Sequence, residues 1–172
     1  MKVYFVRHGQ TDWNIQHKIQ GWTDIPLNAE GIRQAYETKE RLKDVPFDAV
    51  YSSSLCRAAK TAEIITEGRG LTLNVDDRIK ERFFGEYEEK PWDESTFNKT
   101  WLAEPEGNYE RLGHFNKRVA DFLDDLKDKR PGETVLVVSH GGTMRAVENY
   151  FSGSGEECLG ITDNGGYRVY EL

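Results

Sequence analysis

Cysteine is nearly absent from this 172-residue chain: Cys56 and Cys158 are the only two, and they stand far apart. Two such residues suggest neither a disulfide framework nor a zinc site. Long apolar runs are missing as well. The stretch Val3-Tyr4-Phe5-Val6 breaks at Arg7, too soon for the core of a signal peptide or a membrane span. No run elsewhere is longer, so a cytoplasmic protein is expected. Positive charge is in deficit, with 23 Lys and Arg against 30 Asp and Glu and a formal net charge of −7. That balance disfavours nucleic acid and anionic membranes as partners. An anionic ligand would have to be met by a local group of arginines. Repeats, low-complexity linkers and acidic metal-binding motifs do not stand out. The length fits one domain over residues 1–172 with a sizeable core.

What is there is an alternation of short apolar runs with amphipathic stretches, the pattern of an α/β domain. Val3–Val6 and Val135-Leu136-Val137-Val138 read as strands, the second as the centre of a parallel sheet. Asp48–Tyr51 is a third, and Leu73–Val75 and Tyr167–Tyr170 read as edge strands. Helices are expected over 28–43, with Asn28 as N-cap, over 55–67, over 109–129 up to the Pro131-Gly132 stop, and from about Thr143. Residues 85–108 are polar, aromatic and weakly periodic. They read as a short lid-like excursion with one helix near Ser95–Leu102.

The strands carry the chemical signal. Val3–Val6 runs into Arg7-His8-Gly9, and Val135–Val138 runs into Ser139-His140-Gly141-Gly142. Asp48–Tyr51 runs into Ser52-Ser53-Ser54 and a helix opening with Arg57. Ligands of open α/β sheets bind at the carboxyl ends of strands, so three parallel strands would bring two His and two Arg to one edge. Guanidiniums bind phosphoryl oxygens with paired, charge-assisted hydrogen bonds. A neutral imidazole can attack phosphorus and form a covalent intermediate, and a second His can donate to the equatorial oxygens. Gly9 and Gly141 are expected to leave room for close backbone approach. A lone His after a strand is usually a structural hydrogen-bonder; two strand-end His-Gly pairs with two Arg make coincidence a poor account. His17 and His114 have no such setting and receive no role. Cys56 is expected to pack.

Together these residues resemble the histidine phosphatase superfamily, in its phosphoglycerate-mutase-like branch. The resemblance is carried by Arg7-His8-Gly9-Gln10-Thr11-Asp12-Trp13-Asn14, Gln20-Gly21-Trp22-Thr23-Asp24-Ile25-Pro26-Leu27, Tyr51-Ser52-Ser53-Ser54-Leu55 with Arg57-Ala58, Glu81-Arg82-Phe83-Phe84-Gly85, and Val138-Ser139-His140-Gly141-Gly142. It implies an α/β three-layer sandwich, a mainly parallel central sheet with helices on both faces. It implies His8 as the phospho-accepting nucleophile, with Arg7, Arg57 and His140 forming the phosphate pocket and Asn14 as an added donor. Gln20 and Gly21 would contact substrate, along with Gly141. Glu81 would protonate the leaving oxygen; nothing else singles it out among 30 acids. No metal or other cofactor is expected, and the partner would be a small phosphorylated metabolite.

The departures bear on substrate. Phe84 stands where the mutase pattern has Tyr, and Arg111 stands alone where the mutases carry an insertion with an Arg pair. Glu86, Glu88 and Glu89 form an acidic patch expected to repel highly charged ligands. Trp92, Phe97, Trp101 and Tyr109 could line an apolar lid or simply pack. The favoured reading is a phosphomonoesterase. A phosphoglycerate mutase and a non-catalytic phosphate-binding module of the same fold are the alternatives.

Overall fold

The computed structural model describes residues 1–92, 104, 106–153 and 162–172. The helix expected near Ser95–Leu102, and with it Phe97 and Trp101, lies outside the described residues.

Five strands form one sheet: β1 (Lys2–Arg7), β2 (Ala49–Ser52), β3 (Leu73–Val75), β4 (Thr134–Ser139) and β5 (Tyr167–Glu171). Their order is β3-β2-β4-β1-β5. All neighbours are parallel except β1 and β5, which run antiparallel. The two weakest strand patterns, β3 and β5, occupy the edges. β-Branched residues concentrate in β4, which is flanked on both sides and buried on both faces.

Alternation within the strands builds two cores. Val3, Phe5, Val135 and Val137 face α4 (Leu112–Lys129) and α5 (Gly141–Ser152), meeting Phe115, Val119, Phe122, Leu123 and Val147. Val6, Val50, Leu136 and Val138 face the opposite way, toward Leu42 beyond the end of α2 (Ala29–Arg41) and toward Ala58, Ala62 and Ile65 of α3 (Cys56–Thr66). The result is a mainly parallel sheet between two helical layers. Each helix buries one stripe, as its 3.6-residue period requires. Asn28 caps α2, accepting from the Gly31 N–H at 2.8 Å. The long helix α4 starts at Leu112, three residues later than its apolar pattern begins, because Tyr109 is buried in a preceding turn against Tyr87. Among the described residues, no helix is long and apolar enough to cross a membrane.

The order of strands positions the site. After β1 the chain moves to α2 on one face, and after β4 it enters α5 on the other. These two strands are neighbours, with Arg7 level with Ser139. Their carboxyl ends therefore open the crevice that α/β folds use for ligands.

Candidate active site

At this switch point lies a cleft of about 290 Å³, lined by Arg7, His8, Asn14, Gln20, Gly21, Arg57, Glu81 and Gly141 among others. Of the residues given a catalytic or substrate-binding role by the family resemblance, all are on its wall except His140. That ring is fully buried behind the wall, 5.2 Å from His8 between centroids.

β1 delivers His8, and the His8 N–H still bonds the Ser139 carbonyl of β4 at 2.9 Å. The His8 side chain is 4 % exposed, and its Nδ1 lies 2.7 Å from the Gly9 carbonyl oxygen. A carbonyl only accepts, so Nδ1 carries the proton and Nε2 keeps its lone pair. Burial pushes this imidazole well below its ordinary range, and Arg57 and Arg7 push it further against the Gly9 bond. His8 is thus neutral. His140 is neutral for the same reasons, burial first and then Arg57. Its Nε2 meets Ser53 Oγ at 2.7 Å, and its Nδ1 is buried with no partner.

The two guanidiniums are braced from behind. Arg57 is 1 % exposed and donates to the carbonyls of Thr23 (2.9 Å) and Gly21 (2.8 Å), while its Nε has no partner. Arg7 donates to the Thr162 carbonyl at 2.8 Å, and its buried Nε likewise has none. Two buried guanidinium N–H groups without acceptors are what an oxyanion site offers in its resting form. The loop 21–23 that holds Arg57 is itself held by Glu88, whose carboxylate accepts from the N–H groups of Trp22 (3.0 Å), Thr23 (2.9 Å) and Phe84 (3.1 Å). Glu88 therefore does not belong to a repelling acidic patch. Glu89 pairs with Lys18, and none of Glu86, Glu88 and Glu89 lines the cleft.

Glu81 follows a 3₁₀ turn at Asp77–Ile79 and reaches the cleft from the α4 side. Its Oε1 accepts from the Arg82 N–H (2.8 Å) and its Oε2 from the Gly142 N–H (3.0 Å) at the start of α5. An added Cβ at Gly142 would stand 2.2 Å from Glu81 Oε1, so a side chain there would push the carboxylate out of this position. The Glu81 carbonyl is held by Trp22 Nε1 and by Arg118, at 2.7 and 2.8 Å.

Asn14 forms the N-terminal capping box of α1 (Asp12–Ile15) with Thr11. Its Oδ1 accepts from Thr11 and from Asn164, which leaves the amide Nδ2 as the donor end presented to the cleft. Gln20 lines the cleft with its Oε1 buried and unpartnered. Gly21 adopts φ +52, and a Cβ there would run into Glu88. Gly9 differs from the expectation: the space beside its Cα is filled by the Gly31 backbone, 2.3 Å from where a Cβ would sit, so Gly9 serves the packing of α2. Partial burial, and then the neighbouring Asp24, push the Cys56 thiol up to about 11 and leave it a poor nucleophile.

The sequence pattern passed over several wall residues. Arg145 lies one turn beyond Gly141 on the same face of α5, an i, i+4 spacing that could have flagged it. His17, Lys18, Trp13 and Ile19 stand on the wall, together with Phe84 and Trp92, which the sequence had named. Asn164, in the turn before β5, donates to the His8 carbonyl at 3.0 Å; no local spacing announces it. Tyr109 packs in the interior, whereas Trp92 lines the cleft edge-on to Phe84. His114 is remote and pairs with Glu110.

An α/β sheet with two neutral imidazoles and two braced guanidiniums at its switch point defines a class of protein built around a buried histidine. The chain belongs to the histidine phosphatase superfamily, branch 1, whose family model matches residues 3–169. It is 43 % identical over 155 residues to a Bacillus subtilis protein named "Uncharacterized phosphatase PhoE", covering 90 % of this chain and 79 % of the relative. It is 36 % identical over 152 residues to the Yersinia pestis "Probable phosphoglycerate mutase GpmB", covering 82 % and 70 %. The structure of Bacillus stearothermophilus YhfR superposes with a TM-score of 0.91 at 29 % identity, covering 99 % of this chain and 91 % of that one. This protein is thus a histidine-phosphatase-type enzyme.

Proposed function

We propose that this protein hydrolyses a small phosphomonoester through a phosphohistidine formed on His8. The observation that carries the reading is the pinned tautomer of a neutral His8: Nδ1 is committed to the Gly9 carbonyl, so Nε2 is free to attack. In the first step Nε2 forms a bond to phosphorus and the bond from phosphorus to the ester oxygen breaks. Glu81, in its acid form, gives its proton to the departing alkoxide. In the second step water attacks phosphorus, the bond to Nε2 breaks, and the Glu81 carboxylate takes a proton from the water. Arg7 and Arg57 bind the equatorial oxygens, with His140 and Asn14 as further donors. Two guanidinium charges balance a phosphate dianion, so no metal is required. The helix α5 adds its positive N-terminal end at Gly141. Gln20 and Gly21 contribute to the wall around the substrate. We further propose that the substrate is a cytoplasmic phosphorylated metabolite and that residues 1–172 act as one domain.

A mutase reading is favoured by the similarity to the protein named GpmB. Phe84 speaks for hydrolysis instead, because it contributes a ring and no hydroxyl to the cleft wall. A binding module without turnover would have no use for a catalytic carboxylate beside a bare nucleophile. The test is a phosphate-release assay beside direct ³¹P NMR detection of 3- to 2-phosphoglycerate isomerisation, both in EDTA and with 3-phosphoglycerate and a panel of phosphomonoesters. Net phosphate release with at most trace isomerisation is expected. Isomerisation outpacing hydrolysis tenfold would replace phosphatase by mutase, and dependence on added magnesium or zinc would end the metal-free scheme.

A further inference from the structure

We infer that Ser53 is a positioning residue: its hydroxyl donates to Nε2 of His140 and so keeps that ring's proton on Nδ1, the nitrogen left to meet the transferred phosphoryl group. The inference rests on the phosphatase reading for its catalytic consequence, though not for the tautomer itself.

The run Ser52-Ser53-Ser54 places three hydroxyls at the end of β2, and each does something different. Ser52 Oγ bonds the Ser53 carbonyl at 3.0 Å, and Ser54 Oγ bonds Asp77 at 2.6 Å. Ser53 alone reaches His140, with Oγ 2.7 Å from Nε2. Its backbone is pinned to the neighbouring strand, its N–H donating to the Val138 carbonyl at 3.3 Å, two residues before His140. Both side chains are fully buried.

Donor counting fixes the direction of the bond. Ser53 Oγ already accepts from the Leu55 N–H at 3.3 Å. A hydroxyl has one proton to give and two lone pairs. If it donates to His140 Nε2, every polar atom of the pair is satisfied except Nδ1–H, which becomes a donor aimed at no protein atom. If Nε2 carried the proton instead, the Ser53 O–H would be the buried donor left without an acceptor, and Nδ1 a buried acceptor left without a donor. Nδ1 would then show a bare lone pair to a phosphoryl anion. The first arrangement supplies a third donor beside Arg7 and Arg57, on a ring whose centroid lies 5.2 Å from that of His8, to serve an oxygen of the phosphoryl group carried there. Burial and the nearby Arg57 keep the ring neutral, so its tautomer matters.

The experiment is long-range ¹H–¹⁵N correlation of the histidine rings in the resting protein, in phosphate-free buffer, for wild type, Ser53→Ala and Ser53→Thr, with kcat and KM measured on p-nitrophenyl phosphate. Wild-type His140 should show Nδ1–H and an unprotonated Nε2. Ser53→Ala should shift population to Nε2–H and lower kcat by roughly 10- to 100-fold, below the roughly 10²–10³ of a lost transition-state donor, with KM changing less than about threefold. Ser53→Thr, which keeps the hydroxyl, should restore both tautomer and kcat. An Nε2–H tautomer in wild type would overturn the inference without any variant. So would a Ser53→Ala enzyme that loses kcat while its tautomer stays put, because the loss would then come from the Leu55 contact. A wild type with the expected tautomer and no turnover of any phosphomonoester would instead contradict the phosphatase reading and the catalytic consequence drawn from it.

Discussion

Glu81 holds its carboxylate between two backbone N–H groups, those of Arg82 and Gly142, one from its own loop and one from the start of α5. Such placement fixes where a proton can be delivered. Its worth depends on the leaving group: p-nitrophenolate departs without a proton, whereas a simple alkoxide does not. Glu81→Gln should therefore slow an alkyl phosphate at least tenfold more than p-nitrophenyl phosphate in steady-state assays of both. Equal loss on the two would mean that Glu81 acts through packing or phosphate binding. At this scale the sequence was uneven. His8 and His140 were legible because each follows a strand that is itself legible. Glu81 was reached only through family resemblance, since it sits on a loop with no periodicity. Ser53 was seen in a motif but not assigned, because its contact with His140 joins β2 to β4 across 87 residues.

The loop at 20–24 shows how an element supports a charge. Its carbonyls at Gly21 and Thr23 hold Arg57, and its N–H groups at Trp22 and Thr23 are held by Glu88. A carboxylate accepting backbone hydrogen bonds is a strong clamp, and hydrogen bonds to charged groups contribute about 1.5–3 kcal/mol each; two of these are partly open to solvent, so the net effect is smaller. Glu88→Gln should lower kcat/KM by about tenfold through a looser Arg57, and stability by about 1–2 kcal/mol in urea titration. An unchanged kcat/KM would show that Arg57 needs no such bracing. Strand and helix identities followed from hydrophobic period, including the edge positions of β3 and β5. Loop roles did not: from sequence, Glu88 is one acid in a polar stretch, and its inward turn depends on Gly21 at φ +52 making room for it.

For the whole molecule, two buried neutral imidazoles make stability depend on pH. Their pKa values lie below the ordinary one in the folded state, so the unfolded chain binds more protons as pH falls through about 6.5. Stability should therefore be complete above that value and decline below it. The decline is roughly 1–1.5 kcal/mol per group by pH 5.5. Carboxylates held low, such as Glu110 beside Arg118, add their own loss only below the ordinary carboxylate range. Thermal unfolding in non-phosphate buffer between pH 7.5 and 5 isolates the histidines: wild type should lose more stability across this window than His8→Asn. Equal slopes would mean that His8 takes up protons alike in the folded and unfolded chains. The net charge of −7 bears on the same scale. On the proposed function, attraction for an anionic substrate is local to the Arg7 and Arg57 cleft, and the architecture that gathers these residues was legible because β1 and β4 announce themselves by their apolar runs.

The central claim is covalent: phosphorus passes through Nε2 of His8. Rapid quenching during turnover, followed by peptide mapping, tests it most directly. The account predicts an acid-labile, alkali-stable phosphoryl group on His8 that forms and decays at rates consistent with kcat, and a His8→Ala variant with neither label nor turnover. A label on another residue, or a His8→Ala enzyme retaining a tenth of wild-type activity, would contradict it.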